Sequence, residues 1–181
     1  MFRFTLSTIA FFVSAAVSGS TFAIPASADT QSSQPAASAF ERLKAMEGEW
    51  IDVTGAFGAK GAVVATYKVT GAGNTLIETF PVNTPHEMTT VYHRDGSHVV
   101  LTHYCSGATQ PRMRAREVHG NVLNFDFDGG TNIDPATTSH MHNMRWEFIS
   151  KDEIKAEWHN WADGKEDPRH LGRMHLKRKA P

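Results

Sequence analysis

Residues 139–162 read SHMHNMRWEFISKDEIKAEWHNWA, and they decide the fold. In the first half of this stretch, Met144, Trp146 and Phe148 alternate with more polar residues. A period of two belongs to a β-strand, because successive side chains of a strand point to opposite faces of the sheet. The polar dipeptide at 151–152 interrupts the pattern, so the stretch predicts two long strands joined by a tight turn.

The same period of two extends through most of the chain, beginning at Trp50. Turn signals such as Asp95-Gly96 and Gly120-Asn121 separate the runs, about one every ten residues, which is typical of a meander or barrel. The ten predicted strands are 49–55, 62–70, 75–82, 87–94, 98–106, 112–119, 121–128, 139–150, 153–162 and 170–179.

One helix precedes the strands. Phe40, Leu43, Ala45 and Met46 fall at roughly helical spacing, and Gly48 ends the segment as a C-cap does. Short amphipathic strands in an open sheet would leave two unpaired edges, and closure removes both. The sequence therefore predicts an all-β fold, an up-and-down antiparallel β-barrel of about ten strands with one short N-terminal helix. A barrel of that size has room for an internal cavity.

The N-terminal residues resemble a secretory signal peptide. Arg3 is followed by an apolar stretch too short to span a membrane, and Ala26-Ser27-Ala28 offers small residues at the spacing that signal peptidase needs. We expect residues 1–28 to be the signal, with Ala23 as the alternative cleavage point, 29–38 to be a flexible leader and 39–181 to be a single barrel domain. The expected location is periplasmic or secreted, with no stable membrane insertion after cleavage.

Composition limits the possible functions. The net charge is −1 with histidine neutral, so no basic face for nucleic acid is predicted. The single cysteine, Cys105, cannot form an intramolecular disulfide. Its preferred interpretation is a small, buried hydrophobic residue. No nucleophile elbow, phosphate-binding loop or dinucleotide fingerprint is present, so the residues favour binding over catalysis.

Gly48-Glu49-Trp50, which opens the first strand after a short helix, resembles the Gly-x-Trp start of lipocalins and of the wider calycin group. In that group the tryptophan closes one end of the barrel, often beneath a basic side chain from the last strand. The resemblance implies that Trp50 takes this position, with Arg173 or Lys177 over its ring.

A second resemblance is to exported bacterial proteins of lipocalin-like type, and it implies the barrel without assigning an activity. Five segments carry it: 67–71 (YKVTG), 85–88 (PHEM), 102–105 (THYC), 110–113 (QPRM) and 140–142 (HMH).

Candidate site residues come from strand alternation. His140 and His142 share a face of the eighth strand with Met144, Trp146 and Phe148. Because that face carries large apolar side chains, we expect it to be the inner one, which points two histidines into the barrel.

The fifth strand is ambiguous, because both of its faces are largely apolar. His103 and Cys105 share one face and Tyr104 lies on the other. If the first face is the inner one, these two side chains could meet His140 and His142 across the cavity and bind zinc, copper or haem iron. The alternative is that the histidines hydrogen-bond locally and form a polar part of a pocket wall.

Two sets of charged residues are expected on the surface. Arg112, Arg114 and Arg116 alternate along one strand, and such a row is usually solvated, although an inward arginine could bind a ligand carboxylate. Glu78 and Glu117 are expected to be exposed as well.

The preferred functional hypothesis is periplasmic binding of a small, mostly apolar or amphipathic molecule inside the barrel. The alternatives are haem or transition-metal binding through inward histidines, an enzyme with a histidine as general base, and a structural or partner-binding barrel. The expected ligand-binding residues are Trp50, His103, Tyr104, Cys105, His140, His142, Trp146 and Phe148, and the candidate metal ligands are His103, Cys105, His140 and His142.

Overall fold

The structure is a computed structural model that describes residues 30–180, with side chains described for 37–115 and 119–180. The signal peptide expected at 1–28 lies outside the described residues. The elements are α1 (Thr30–Lys44), β1 (Gly48–Asp52), β2 (Val63–Thr70), β3 (Thr75–Phe80), β4 (Met88–Asp95), β5 (His98–Tyr104), β6 (Gln110–His119), β7 (Val122–Thr131), β8 (His140–Ser150), β9 (Glu153–Ala162) and β10 (Lys165–Arg178).

The ten strands form one closed antiparallel barrel in which each strand pairs with its neighbours along the chain. Pairing of β1 with β10 closes the barrel, with Trp50 opposite Arg178 and Asp52 opposite Leu176. Closure removes the two edge strands that an open sheet of the described strands would have. The predicted fold class is thereby confirmed.

Two of the hairpin turns depend on glycine. Gly96 and Gly120 have φ angles of 58° and 57°, in the left-handed region that a residue with a Cβ rarely adopts. Tight turns of this hand match the twist of the paired strands. The Asp-Gly and Gly-Asn signals in the sequence therefore set the β4–β5 and β6–β7 registers as expected.

Helix α1 packs its apolar face against one end of the barrel. Phe40 and Leu43 are almost fully buried in the same core cluster as Trp50. The leader expected at 29–38 overlaps the first part of this helix, and its flexibility stays a prediction. Within the described residues, no helix has the length and apolar character needed to cross a membrane.

The strand bounds differ from prediction most at β10. The pattern predicts a strand from residue 170, whereas β10 begins at Lys165 and its register against β9 shifts between Asp167 and Gly172. Pro168 lies inside that interval, and a proline has no N–H to donate to the strand ladder. The irregularity hid the first part of the strand from a search for simple alternation.

Candidate functional site

The barrel encloses a small cavity at the end opposite helix α1. Its volume is about 50 Å³, enough for a few water molecules. Most of its wall is apolar. The lining residues are Glu78, Phe80, Met88, Thr90, His103, Met141, Met144, Trp158 and Met174.

A row of polar side chains runs along one side of the barrel interior. Tyr67 on β2 pairs with Glu78 on β3, Glu78 pairs with Thr90 on β4, and Thr90 pairs with His103 on β5. Directly paired residues of adjacent strands point to the same face. Since Glu78 is only 3% exposed, that face is the interior of the barrel.

Two tyrosines hold the Glu78 carboxyl group. The Tyr67 hydroxyl donates to Oε1 at 2.9 Å, and the Tyr92 hydroxyl donates to Oε2 at 2.6 Å. Trp146 extends the network, because its indole Nε1 donates to the Tyr92 oxygen at 3.4 Å. The network fixes the position of a buried acid next to the cavity.

The electrostatics of Glu78 follow from its burial. Burial raises the pKa of Glu78, and hydrogen bonds from Tyr92, Tyr67 and Thr90 oppose that shift. Burial, followed by the proximity of Glu78, holds the pKa of both tyrosines well above the ordinary value. In the described part of the chain no Lys or Arg pairs with Glu78. The interior therefore holds an acid without a cationic partner.

His103 is the second ionisable group of the cavity. Its Nδ1 lies 2.9 Å from the Thr90 hydroxyl oxygen, and burial lowers its pKa to about 4. The ring is therefore neutral near pH 7. Among the described residues none hydrogen-bonds Nε2, so with the proton on Nδ1 the Nε2 lone pair is available to a ligand.

The structure places His140 and His142 outside this cavity, which corrects the predicted orientation. The register of β8 against β9 shifts between Met141 and Asn143, so β8 contains an extra residue there. Such a bulge inverts the alternation on one side of it. Met144 still faces inward as predicted, but before the bulge Met141 is the residue that lines the cavity.

The two histidines instead form an aromatic cluster. The His142 ring stacks on Trp161, with centroids 3.8 Å apart, and on Phe127 at 4.8 Å. His140 Nε2 lies 3.0 Å from His142 Nδ1, and His140 Nδ1 lies 2.7 Å from the Thr138 carbonyl oxygen. Burial and then the neighbouring His140 lower the pKa of His142. The ring nitrogens that face each other are used in a mutual hydrogen bond.

The predicted grouping of His103, Cys105, His140 and His142 does not form. Tyr104, expected in the cavity wall, is 50% exposed on the outer face of β5. Cys105 lies in the turn after β5, where its Sγ accepts the Gly107 N–H at 3.4 Å. Across residues 30–180, no group of three or more His, Cys, Asp or Glu side chains is arranged to hold a metal ion.

Trp50 closes the end of the barrel below α1, as the calycin resemblance implies. The cation over its ring is Arg178, with its Cζ 4.6 Å from the centroid, and not Arg173 or Lys177. Arg178 is the direct cross-strand partner of Trp50, whereas Arg173 and Lys177 form ion pairs with Glu residues of β9. Arg178 shares the face of Trp50 because the two residues are paired across adjacent strands, whereas residues 173 and 177 point to the opposite face of β10. The sequence alone did not show which residues of β10 face inward.

Trp146 and Phe148 occupy different positions. Trp146 is fully buried between the two ends, with its ring 6.2 Å from that of Tyr67. Phe148 and Trp50 line a separate depression of about 420 Å³ beside α1. No buried acid or histidine lines that depression. The smaller interior cavity is therefore the candidate site.

Sequence reasoning missed Glu78, which was expected on the surface. The sequence contains one indication that Glu78 points inward, because it shares a face of β3 with the apolar residues Leu76 and Phe80. Both of these residues are buried. Ile77 on the opposite face made the choice ambiguous. Arg112 and Arg114 lie on the outer wall as expected, paired with Asp95 and Asp128, whereas the side chains of Arg116 and Glu117 lie outside the described ones.

Neither a protein-family model nor a curated protein sequence matches this chain.

Proposed function

We propose that this protein is an exported barrel that binds a small, mostly apolar molecule in the interior cavity. The observation that carries the proposal is the combination of an apolar wall with two fixed polar groups, the buried Glu78 and the half-buried His103. Ligand pockets commonly have this composition, in which the apolar wall supplies affinity and a few polar groups select orientation.

The polar groups specify part of the ligand. The ionised Glu78 carboxyl group has about four lone-pair sites, of which Tyr67, Tyr92 and Thr90 use three, so it can accept one donor from the ligand. The His103 Nε2 can serve a second polar group. A molecule with an apolar body and one N–H or O–H donor fits this arrangement best.

Methionine side chains make the cavity adjustable. Four of the nine lining residues are methionines, whose unbranched thioether chains change rotamer at low cost. The cavity volume of about 50 Å³ is therefore a lower bound on the space that a ligand can occupy. A haem group is far larger than this cavity, and the inward histidine pair on which that alternative rested does not form.

Two further observations support an exported carrier of calycin-like type. The N-terminal residues have the charge, length and small-residue spacing of a signal peptide. The contact of Arg178 with Trp50 at the closed end is the arrangement that the calycin resemblance implies. Cell fractionation and the mass of the mature N-terminus test the export step, with cleavage expected after Ala28.

Native mass spectrometry of the protein isolated from cells tests the binding proposal. We expect an additional small mass on the wild type and on Ile149→Trp, which enlarges an exposed residue of the outer wall. Met141→Trp fills the cavity and should remove that mass. Equal occupancy of all three proteins, or of none, would contradict the proposal, and circular dichroism checks that each variant is folded.

A further inference from the structure

Soft ligand atoms are concentrated in the interior cavity. Met88 comes from β4, Met141 and Met144 from β8, and Met174 from β10, and all four line the same small space as His103. Met113, by contrast, is fully buried in the core without lining the cavity. The fold thus gathers thioethers from three strands around one imidazole.

Thioether sulfur selects among metals by its softness. It is a good ligand for Cu(I) and a poor one for hard cations such as Mg²⁺ and Ca²⁺, which prefer oxygen. Imidazole also binds copper, provided that the ring is neutral. Thr90 fixes the orientation of His103 through Nδ1, as outer hydrogen bonds do for metal-bound histidines.

The charge of the cavity matches a monovalent cation. Glu78 is the acidic residue among those that line it, and it has no Lys or Arg partner within the described residues. A cation with one positive charge would favour the ionised form of the buried Glu78 carboxyl group and neutralise its charge. Glu78 would act through its charge, while its two oxygens keep the hydrogen bonds from Tyr67 and Tyr92.

We propose that the interior cavity is a Cu(I) site formed by methionine thioethers and the Nε2 of His103, with Glu78 balancing the charge. The site goes beyond the binding of an organic molecule and does not depend on it. Binding needs no redox step, because the metal enters and leaves as Cu(I). Ag(I) has the same charge and similar softness and is stable in air, so it is the probe of choice.

Other soft sites on the chain must be removed or monitored. Cys105 is partly exposed, and its thiol would bind Ag(I), so the titration uses a Cys105→Ser background. His140 and His142 lie outside the cavity and are replaced by Gln in a control protein. Binding that disappears with this control instead of with the cavity variants would overturn the proposal.

Methionine methyl groups report the location of the metal. In protein labelled with [¹³C-methyl]methionine, one equivalent of Ag(I) should shift resonances of the four cavity methionines. Met46 and Met113 are buried elsewhere and should not move, which makes them internal controls. Shifts confined to Met46 or Met113, or no shift at an equimolar ratio, would contradict the site.

Variants measure the contribution of each ligand type. His103→Gln and Met141→Leu should each weaken Ag(I) binding by at least about tenfold in competition with a chelator. Met113→Leu, the matched substitution outside the cavity, should leave affinity unchanged. Full affinity in both cavity variants would overturn the metal site. Retention of an organic ligand by a protein that fails to bind Ag(I) would overturn this site alone and leave the carrier proposal standing.

Discussion

The two ends of the barrel are built on different principles. At the closed end, the Arg178 guanidinium donates to the Ala45 carbonyl at 2.6 Å and to the Lys151 carbonyl at 3.0 Å, and it covers the Trp50 ring. At the cavity end, Tyr67 and Tyr92 hold the Glu78 carboxyl group and Thr90 holds His103 Nδ1, but the carboxyl group and His103 Nε2 keep lone pairs that no described residue uses.

The difference separates polar groups that stabilise the fold from polar groups that are available to a ligand. A polar group whose hydrogen bonds all go to the protein contributes to stability. A buried group that retains free capacity, next to an adjustable apolar wall, lowers stability unless a ligand completes its contacts. Variants at the closed end should therefore affect unfolding, and variants at the cavity end should affect binding and pH dependence.

The largest effect at neutral pH is expected at Arg178. Arg178→Met should lower the free energy of unfolding by about 3 kcal/mol, because it removes charge-assisted hydrogen bonds to backbone carbonyls and a cation–π contact. Denaturant unfolding measures the loss. Lys177→Met, on the exposed face of the same strand, should change stability little, and equal losses in the two variants would remove the proposed distinction.

His103 should give the cavity end a pH-dependent stability. In the folded protein the pKa of His103 is about 4, below the ordinary value for histidine. Its contribution to the free energy of unfolding is therefore complete above about pH 6.5 and is lost as the pH falls towards 4. The linked loss is about 3 kcal/mol. His103→Gln should remove this slope in unfolding measurements across that range, whereas His98→Gln, at an exposed position, should retain it.

Gly172 tests the packing of the cavity wall. A Cβ at this position would lie 1.8 Å from Cε2 of Trp158, a lining residue. Gly172→Ala should displace that ring, cost about 1–3 kcal/mol and reduce ligand occupancy. Gly107→Ala is the matched control, since neither glycine has a positive φ and a Cβ at Gly107 would meet only the Cys105 Sγ, at an ordinary contact distance of 3.6 Å. Equal occupancy in the Gly172 variant and the wild type would show that Trp158 does not shape the cavity.

Glu78 should show the smallest stability effect and a pH dependence of opposite sign to that of His103. Burial raises the pKa of Glu78 in the folded protein. Its contribution to the free energy of unfolding is therefore complete at pH values below the ordinary pKa of a glutamate, and it is lost as the pH rises through the pKa of the folded state. Glu78→Gln should differ from the wild type by less than about 1 kcal/mol at pH 4.5 and abolish the loss at higher pH. An unchanged slope would mean that Glu78 is solvated.

The barrel could be predicted from the sequence because strands and turns leave local signals. Alternation such as that through Met144 and Trp146, together with turn signals such as the glycines at 96 and 120, predicted strand number and order. The site was harder, because it depends on which face is inner. The bulge at His142 inverts the alternation without changing composition, and only the cross-strand register brings Tyr67 and Glu78 together.

The contrast between the two ends can be measured in one spectrum. Met46 lines the depression beside α1, and Met88, Met141, Met144 and Met174 line the interior cavity. Aniline, a small apolar molecule with an N–H donor, is added to protein labelled with [¹³C-methyl]methionine. We expect saturable shifts of the four cavity methyl groups with Met46 unmoved. A saturable shift of Met46 alone would contradict the account and place the ligand site at the closed end.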